Sequence, residues 1–301
     1  MALLDRAIVR LLPTVPRPVV RRVASRYIAG ERLEDAVDTV RRLNGAGKVA
    51  TIDVLGEEVT SADEARAITR AYIDVFRAIE EHGLDSNVSV KPTGLGLKLG
   101  YDVCRANLET VVRHAASQGS FVRIDMEDSS TTSDTLRMYR ELREAGLDNV
   151  GVVLQARLRR TERDIRALAD LRPSVRICKG IYLERELIAY TGFDEIRAAY
   201  VRCLELLAKH ASHVGVATHD DYLITAARCL PPERFEFQML LGVRPELGNR
   251  LVRDGHRLRI YVPFGRDWYA YSVRRLQENP RIAGYVASDA LGRMFGANGR
   301  P

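Results

Sequence analysis

The chain of 301 residues has few cysteines, one tryptophan and no long apolar run. Its cysteines, Cys104, Cys178, Cys203 and Cys229, form no Cys-x-x-Cys pair and have no histidine at zinc-ligand spacing. This pattern argues against a disulfide-rich secreted domain and against a zinc site, so we expect reduced thiols and a cytoplasmic protein. No apolar run reaches the ~20 residues of a membrane-spanning helix.

Common catalytic motifs are also missing. The sequence has no Walker A motif and no His-Glu-x-x-His, and no serine or cysteine has a convincing base partner. Gly94-x-Gly96-x-x-x-Gly100 resembles a dinucleotide fingerprint, but its last gap is one residue too long. A Rossmann site, a zinc peptidase and an acyl-transfer hydrolase are therefore poor interpretations.

Excess positive charge is confined to the N-terminus. Residues 1–30 hold six arginines and one aspartate, a net charge of +5, which leaves +1 of the total +6 for all remaining residues. A nucleic-acid-binding body is therefore not expected. We predict that residues 1–45 form a helical arm, which either packs on the protein or lies on an anionic membrane surface. The second possibility would place the protein peripherally at the inner face of the membrane.

Beyond residue 46 the chain repeats one pattern eight times, a short apolar run followed by a helix-like stretch. Eight such units in about 230 residues favour an α/β fold, a (β/α)8 TIM-type barrel over residues 46–301, with additional N-terminal helices. The predicted strands are Val49–Leu55, Asn87–Lys91, Ser120–Asp125, Asn149–Gln155, Ser174–Lys179, His213–Thr218, Arg234–Leu240 and Arg257–Val262. The predicted helices are 61–82, 101–118, 132–146, 161–170, 184–210, 220–230, 245–254 and 267–279.

Functional residues of such barrels lie at the C-terminal ends of the strands. Here nearly every strand ends in a polar or ionisable residue, which predicts a catalytic mouth. Those residues are Glu57, Lys91, Asp125, Glu127, Gln155, Arg176, Lys179, Thr218, His219, Asp220, Gln238 and Tyr261.

Several of these residues admit more than one interpretation. Lys91 could form a Schiff base, hold an anion, or be a solvent-exposed loop residue. Asp125, in Arg-Ile-Asp-Met-Glu-Asp, could bind a metal with its acidic neighbours, but an inward carboxylate that orients a cation is favoured. Arg176 within a buried strand needs a partner, which could be a ligand or an internal carboxylate. His219 is equally consistent with a structural or a functional role.

The segment after the last strand carries a cationic motif. Asp267 is predicted to cap a helix that bears Arg274, Arg275 and Glu278, and the glutamate can reach both guanidinium groups. If this helix faces a cavity, two forked donors are held ready for a small carboxylate. Alone, the motif would be typical of a solvated helical face.

Together these segments resemble the proline dehydrogenase family, whose members are FAD-dependent distorted (β/α)8 barrels. The resemblance covers about residues 51–280. Its seven blocks occur in order on successive strand ends, which makes the signal specific. They are Val-Ser-Val-Lys91, Arg-Ile-Asp125-Met-Glu, Val-Leu-Gln155-Ala, Val-Arg176-x-x-Lys-Gly180-x-Tyr, Ala-Thr218-His219, Phe-Glu-Phe-Gln238-Met-Leu and Tyr261-x-Pro-x-Gly with Tyr-x-x-Arg274-Arg275-Leu-x-Glu278.

The resemblance implies oxidation of L-proline to Δ1-pyrroline-5-carboxylate, with hydride transfer to FAD N5 and re-oxidation by a membrane quinone or another acceptor. Asp125 would order the substrate site and Arg176 would donate toward N5. The implied substrate-binding residues are Lys91, Tyr261, Arg274, Arg275 and Glu278. The implied cofactor-binding residues are Met126, Gln155, Arg176, Lys179, Gly180, Ile181, Thr218 and His219.

Two residues depart from the family pattern, and a third, Tyr261, bears on substrate specificity. Arg157 stands where an aromatic residue is usual, and Ile181 replaces a small one. Tyr261 favours proline over hydroxyproline, because a ring hydroxyl would crowd the tyrosine.

Two rival functions remain open from the residues alone. A Schiff-base aldolase would use Lys91 or Lys179, and a nucleic-acid or membrane-binding module would use the basic arm.

Overall fold

A computed structural model describes residues 26–228 and 230–269, and these form a closed barrel of eight parallel strands in sequence order. The barrel closes where β8 pairs with β1, with Val49 opposite Arg259 and Val54 opposite Phe264. The predicted fold class is therefore confirmed. The strands are β1 Val49–Val54, β2 Ser86–Val90, β3 Val122–Ile124, β4 Val150–Gln155, β5 Ser174–Cys178, β6 His213–Ala217, β7 Phe235–Leu240 and β8 Leu258–Phe264.

Helices follow the strands and cover the outside of the barrel. Among the described residues one helix, α1, precedes the first strand, and its Ala36, Val37 and Val40 are buried in the main core. Within the described residues, none of the helices combines the length and apolarity needed to cross a bilayer. The helices are α1 Leu33–Gly45, α2 Ala62–Glu81, α3 Tyr101–Ser117, α4 Thr132–Glu144, α5 Thr161–Ala167, α6 Phe193–His210, α7 Asp221–Ala227 and α8 Pro245–Arg253, with short 3-10 turns at Ala169–Leu171 and Pro232–Arg234.

The strands alternate between an apolar outer face and a polar inner face. On β2, Val88 and Val90 belong to the main core, whereas Ser89 bonds across the barrel interior. On β7, Phe237 is fully buried in the core while Glu236 and Gln238 are buried among polar partners. The hydrophobic core therefore lies between sheet and helices, and much of the interior is filled by hydrogen-bonded polar side chains.

Glycines on two strands make room for these interior side chains. A Cβ at Gly151 on β4 would lie 2.3 Å from an Arg123 guanidinium nitrogen. A Cβ at Gly215 on β6 would lie 2.4 Å from the Gln238 amide nitrogen. Neither glycine is at a turn. Glycine is needed at both positions because a neighbouring side chain lies close to the backbone.

One predicted helix begins later than expected. The prediction of helix from residue 184 is wrong for 184–192, because α6 begins at Phe193. The Gly192 amide donates to the Glu195 carboxylate (3.1 Å), which fixes the first turn there. The preceding loop instead bonds the β4–α5 loop, where the Arg159 amide donates to the Ile188 carbonyl (2.9 Å). Tertiary bonds therefore outweigh the helical preference of the segment.

Candidate active site

Lys91 lies at the end of β2, where it is buried among oxygen atoms. Its ammonium donates to both oxygens of Asp53 (2.6 and 2.7 Å) and to the Tyr261 hydroxyl (3.1 Å). Asp125 Oδ2 lies 3.6 Å and Glu57 Oε1 3.8 Å from the same nitrogen. The solvent-exposed interpretation of Lys91 is therefore wrong.

The electrostatics of this cluster keep Lys91 cationic. Burial alone would lower the pKa of Lys91, but Asp53 and the neighbouring groups hold it well above its usual range. Burial raises the pKa of Asp53 to about 6, with Lys91 opposing the shift. Sequence reasoning missed Asp53, although a carboxylate inside an otherwise apolar strand was a usable signal.

Asp125, just after β3, is the centre of a second set of contacts. One carboxylate oxygen accepts from Arg176 Nη1 (2.9 Å) and from Ser89 Oγ (2.6 Å). The other accepts from the Tyr261 hydroxyl (2.8 Å). Burial alone would raise the pKa of Asp125, but the charges of Lys91 and Arg176 lower it, so the carboxylate is ionised at neutral pH. Of the two partners that the sequence allows for Arg176, a ligand or an internal carboxylate, the structure shows the carboxylate.

The opposite side of the mouth is formed by the ends of β4, β5 and β6. Lys179 forms an ion pair with Asp220 (2.5 Å), which also accepts two bonds from Arg197 (2.7 and 2.8 Å). The pKa of Asp220 is well below its usual range, chiefly because of the Arg197 hydrogen bonds. His219 Nε2 accepts from the Leu240 amide (3.1 Å), so this nitrogen carries no proton.

Gly180 follows β5 on the cavity wall, where neighbouring side chains pack closely against its backbone. Its φ of +95° is one that side-chain-bearing residues rarely adopt, and a Cβ there would lie 2.7 Å from Gln155 Oε1. Gln155 itself donates to the Glu127 carbonyl (2.6 Å). Glycine is therefore required at this position, because Gln155 and Arg157 occupy the space that a side chain would take.

Glu127 has a supporting contact that the sequence did not reveal. Its carboxylate accepts from the Thr93 amide (2.8 Å) and hydroxyl (2.6 Å), and so joins the loop after β2 to the end of β3. Burial raises the pKa of Glu127 to about 7. The shared residue Thr93 also accepts from the Glu58 amide (3.2 Å), which links the loop after β1.

The two departures from the family pattern lie on one loop junction. Arg157 donates to the Tyr182 carbonyl (2.8 Å), and its own amide donates to the Lys179 carbonyl (3.0 Å). Its aliphatic carbons lie where a Cβ of residue 180 would be. Arg157 therefore supports the backbone of the β5–α6 loop, while Ile181 is 43% exposed at the cavity wall.

These groups share one cavity of about 820 Å³ at the C-terminal ends of the strands. The proposed residues Arg274, Arg275 and Glu278 lie outside the described residues. All eleven other proposed site residues line the cavity: Lys91, Asp125, Met126, Gln155, Arg176, Lys179, Gly180, Ile181, Thr218, His219 and Tyr261.

The charge arrangement defines what the cavity can do. Lys91 is held as an ammonium, and Lys179 is ion-paired with Asp220. Neither amine is therefore poised as a nucleophile, which argues against the Schiff-base aldolase. Fold and cavity together are those of a barrel enzyme with its site at the C-terminal ends of the strands.

The chain belongs to the proline dehydrogenase family, since the family model described as "Proline dehydrogenase" matches residues 36–288. It is 38% identical over 274 residues to proline dehydrogenase 1 of Bacillus subtilis strain 168, covering 89% of this chain and 90% of the relative. It is 36% identical to the proline dehydrogenase of Deinococcus radiodurans, over 89% and 90% of the two chains.

A solved structure supports the same relationship. Proline utilization A (PutA) from Bdellovibrio bacteriovorus, inactivated by N-propargylglycine, matches with a TM-score of 0.80 and 26% identity. The match covers 89% of this chain but 34% of that one, so this chain spans about a third of the larger protein. The resemblance identified from the strand-end motifs is thereby confirmed, and the protein is an enzyme of the proline dehydrogenase type.

Proposed function

We propose that the protein oxidises L-proline to Δ1-pyrroline-5-carboxylate with FAD as the hydride acceptor, the first step of proline catabolism. The observation that carries this proposal is that the Lys91–Asp125–Arg176 cluster and the ends of β4, β5 and β6 line the same cavity. Membership of the family supports the substrate.

Two features of the cavity support FAD as the second ligand. A volume of about 820 Å³ exceeds what proline alone requires. Lys179 and Arg197 supply cationic donors suited to a diphosphate. We assign cofactor binding to Met126, Gln155, Arg176, Lys179, Gly180, Ile181, Thr218 and His219. FAD would supply the acceptor for the hydride.

On the substrate side, the cluster's own residues bind and orient. The Lys91 ammonium would attract the proline carboxylate, and we propose that Arg274 and Arg275, held by Glu278, complete this anion site. Asp125 keeps Arg176 and the Tyr261 hydroxyl in fixed positions. Because these partners are already paired with one another, little reorganisation is needed when substrate binds.

The visible spectrum of the purified protein tests this proposal. Bands near ~375 and ~450 nm that bleach anaerobically with L-proline would establish a flavin that this substrate reduces. Bands that persist would retain the flavoprotein and refute the substrate. A colourless protein that takes up no added FAD would refute the cofactor.

Specificity for proline over trans-4-hydroxyproline is a further part of the proposal. Tyr261 is half-buried and held by Asp125 and Lys91, so its ring cannot easily move away from an added hydroxyl. Equal kcat/KM for the two substrates would contradict this steric argument.

We also propose a quinone-type electron acceptor, with the basic arm at residues 1–28 bringing the protein to an anionic membrane surface. Most of this arm lies outside the described residues, and the proposal rests on its charge. Removal of residues 1–28 should abolish binding to anionic liposomes, and unchanged binding would refute the membrane role.

A further inference from the structure

A series of hydrogen-bonded polar side chains runs through the barrel interior from Arg259 to Arg176. Glu236 and Gln238 are 3% and 6% exposed on β7, and Arg259 is 9% exposed on β8. Arg259 Nε donates to Glu236 (2.5 Å), Gln238 Nε2 donates to the same carboxylate oxygen (2.7 Å), and Arg176 Nε donates to Gln238 Oε1 (2.5 Å). The chain thus links a buried ion pair to the arginine of the site.

The direction of this chain is fixed by its two ends. A guanidinium can only donate and a carboxylate can only accept, so the Gln238 amide must turn its oxygen to Arg176 and its nitrogen to Glu236. The Glu236 carboxylate remains ionised, because the charge of Arg259 outweighs the effect of burial and lowers its pKa to about 2. The anion polarises the amide, which makes its oxygen a stronger acceptor for Arg176.

Space for this contact is provided by Gly215 on β6, which pairs with both Arg176 and Glu236. Any Cβ at this position would overlap the Gln238 amide. On its other side, Arg176 Nη1 donates to Asp125 and, at 3.2 Å, to Ser89. Nε and Nη1 are thus both occupied, and within the described residues Nη2 has no hydrogen-bond partner.

We propose that Glu236 is a positioning residue which, through Gln238, locks Arg176 in the orientation that presents its guanidinium to the flavin. This inference rests on the proposed function. Glu236 contacts neither substrate nor cofactor in this scheme. Its effect is exerted by fixing the amide that holds Arg176, while Arg257 and Arg259 compensate its charge.

The test compares Glu236→Gln with the exchange variant Glu236→Gln/Gln238→Glu, both as FAD-loaded proteins. In the single variant, an amide faces Gln238, Arg257 and Arg259, so one donor must oppose another. The exchange again gives each donor an acceptor, because the new carboxylate at 238 accepts from Arg176 and from the new amide at 236. Asp164→Asn is the control, since it converts a buried acid on α5 that pairs with Arg160 outside the barrel.

In the single variant, the flavin midpoint potential should fall and kcat should drop roughly 10-fold to 100-fold, as when outer partners of site residues are lost. The KM for proline should change much less, since Lys91 is not touched. The exchange variant should regain potential and kcat, and Asp164→Asn should match the original protein in both. A single variant equal to Asp164→Asn, or an exchange variant that recovers neither quantity, would overturn the proposal.

Two further measurements keep the result interpretable. If Glu236→Gln does not fold, Gln238→Leu retains the Glu236–Arg259 pair and must show the same fall in potential, and an unchanged potential would overturn the inference. If the original protein is itself not reduced by proline, the proposed function fails. If it is reduced and the variants behave like it, only the positioning role of Glu236 fails.

Discussion

Replacement of Lys91 by methionine should expose the cost of the carboxylates packed around it. Asp53 is fully buried, and Lys91 is its only cationic partner among the described residues. The Tyr72 hydroxyl lies 3.4 Å away but has its shorter bond, 2.8 Å, to the Ser89 carbonyl. Breaking a buried ion pair by removing one partner typically costs 3–5 kcal/mol, because the remaining charge is uncompensated. We therefore expect Lys91→Met to lower the free energy of unfolding by about 3–5 kcal/mol at pH 8.

The pH dependence gives the sharper test. In the native protein burial already raises the pKa of Asp53 to about 6, against an ordinary value of 3.8. Without Lys91 the folded-state pKa must rise further, so the folded protein binds a proton more readily than the unfolded chain. The penalty is then present above the folded-state pKa and disappears as the pH falls toward the unfolded value. Destabilisation by Lys91→Met should thus shrink between pH 8 and pH 5.

Urea unfolding at both pH values measures this effect, with Lys98→Met as the control. Lys98 pairs with Glu58 (2.6 Å) at the surface, so its loss should cost less than about 1 kcal/mol. If Lys91→Met is no more destabilising than Lys98→Met, or is equally destabilising at pH 5 and pH 8, the assigned role of the Asp53 pair is wrong.

Three smaller changes test other parts of the site. Gly180→Ala places a Cβ at a φ of +95° and 2.7 Å from Gln155 Oε1, so it should displace Gln155 and Arg157. FAD binding, measured by flavin fluorescence, should weaken about tenfold, which corresponds to about 1.4 kcal/mol of binding free energy. Equal affinity would show that the packing around Gly180 does not support the proposed cofactor site. Glu184→Gln removes a carboxylate that accepts from the Ser129 amide and hydroxyl (2.7 and 2.6 Å), so limited proteolysis within 179–192 should be faster. An unchanged cleavage rate would show that this tether does not hold the loop. Tyr261→Phe removes the donor to Asp125 and should cost about 1 kcal/mol of stability while FAD is retained; loss of FAD would mean that Tyr261 supports the cofactor site instead.

The barrel could be predicted because each strand has a local signature. Alternation along the chain places Val88 and Val90 outward and Ser89 inward regardless of what lies opposite. The strand ends then identified the cavity, since parallel strands bring their C-terminal ends to one rim. What is local in sequence was therefore predictable.

The partners of the site residues could not be predicted in the same way. Asp53 and Lys91 are 38 positions apart, and Arg176 and Gln238 are 62 apart. Which residues meet across a barrel depends on strand register and on where a glycine leaves space, as Gly215 does. The loop at 184–192 shows the same limit, because its composition favours a helix and its contacts with the β4–α5 loop prevent one.

The polar interior explains how this site can hold several charges close together. A barrel interior packed with branched apolar residues would be simpler to stabilise, and buried ion pairs seldom stabilise a fold more than such packing. Here Asp125 accepts hydrogen bonds from Arg176, Ser89 and Tyr261, and Arg176 also donates to Gln238. Each of these groups is oriented by another, so the free energy needed to remove them from water is supplied during folding. The cations are therefore already in position before a ligand binds, and under the proposed function the binding of proline need not supply that energy.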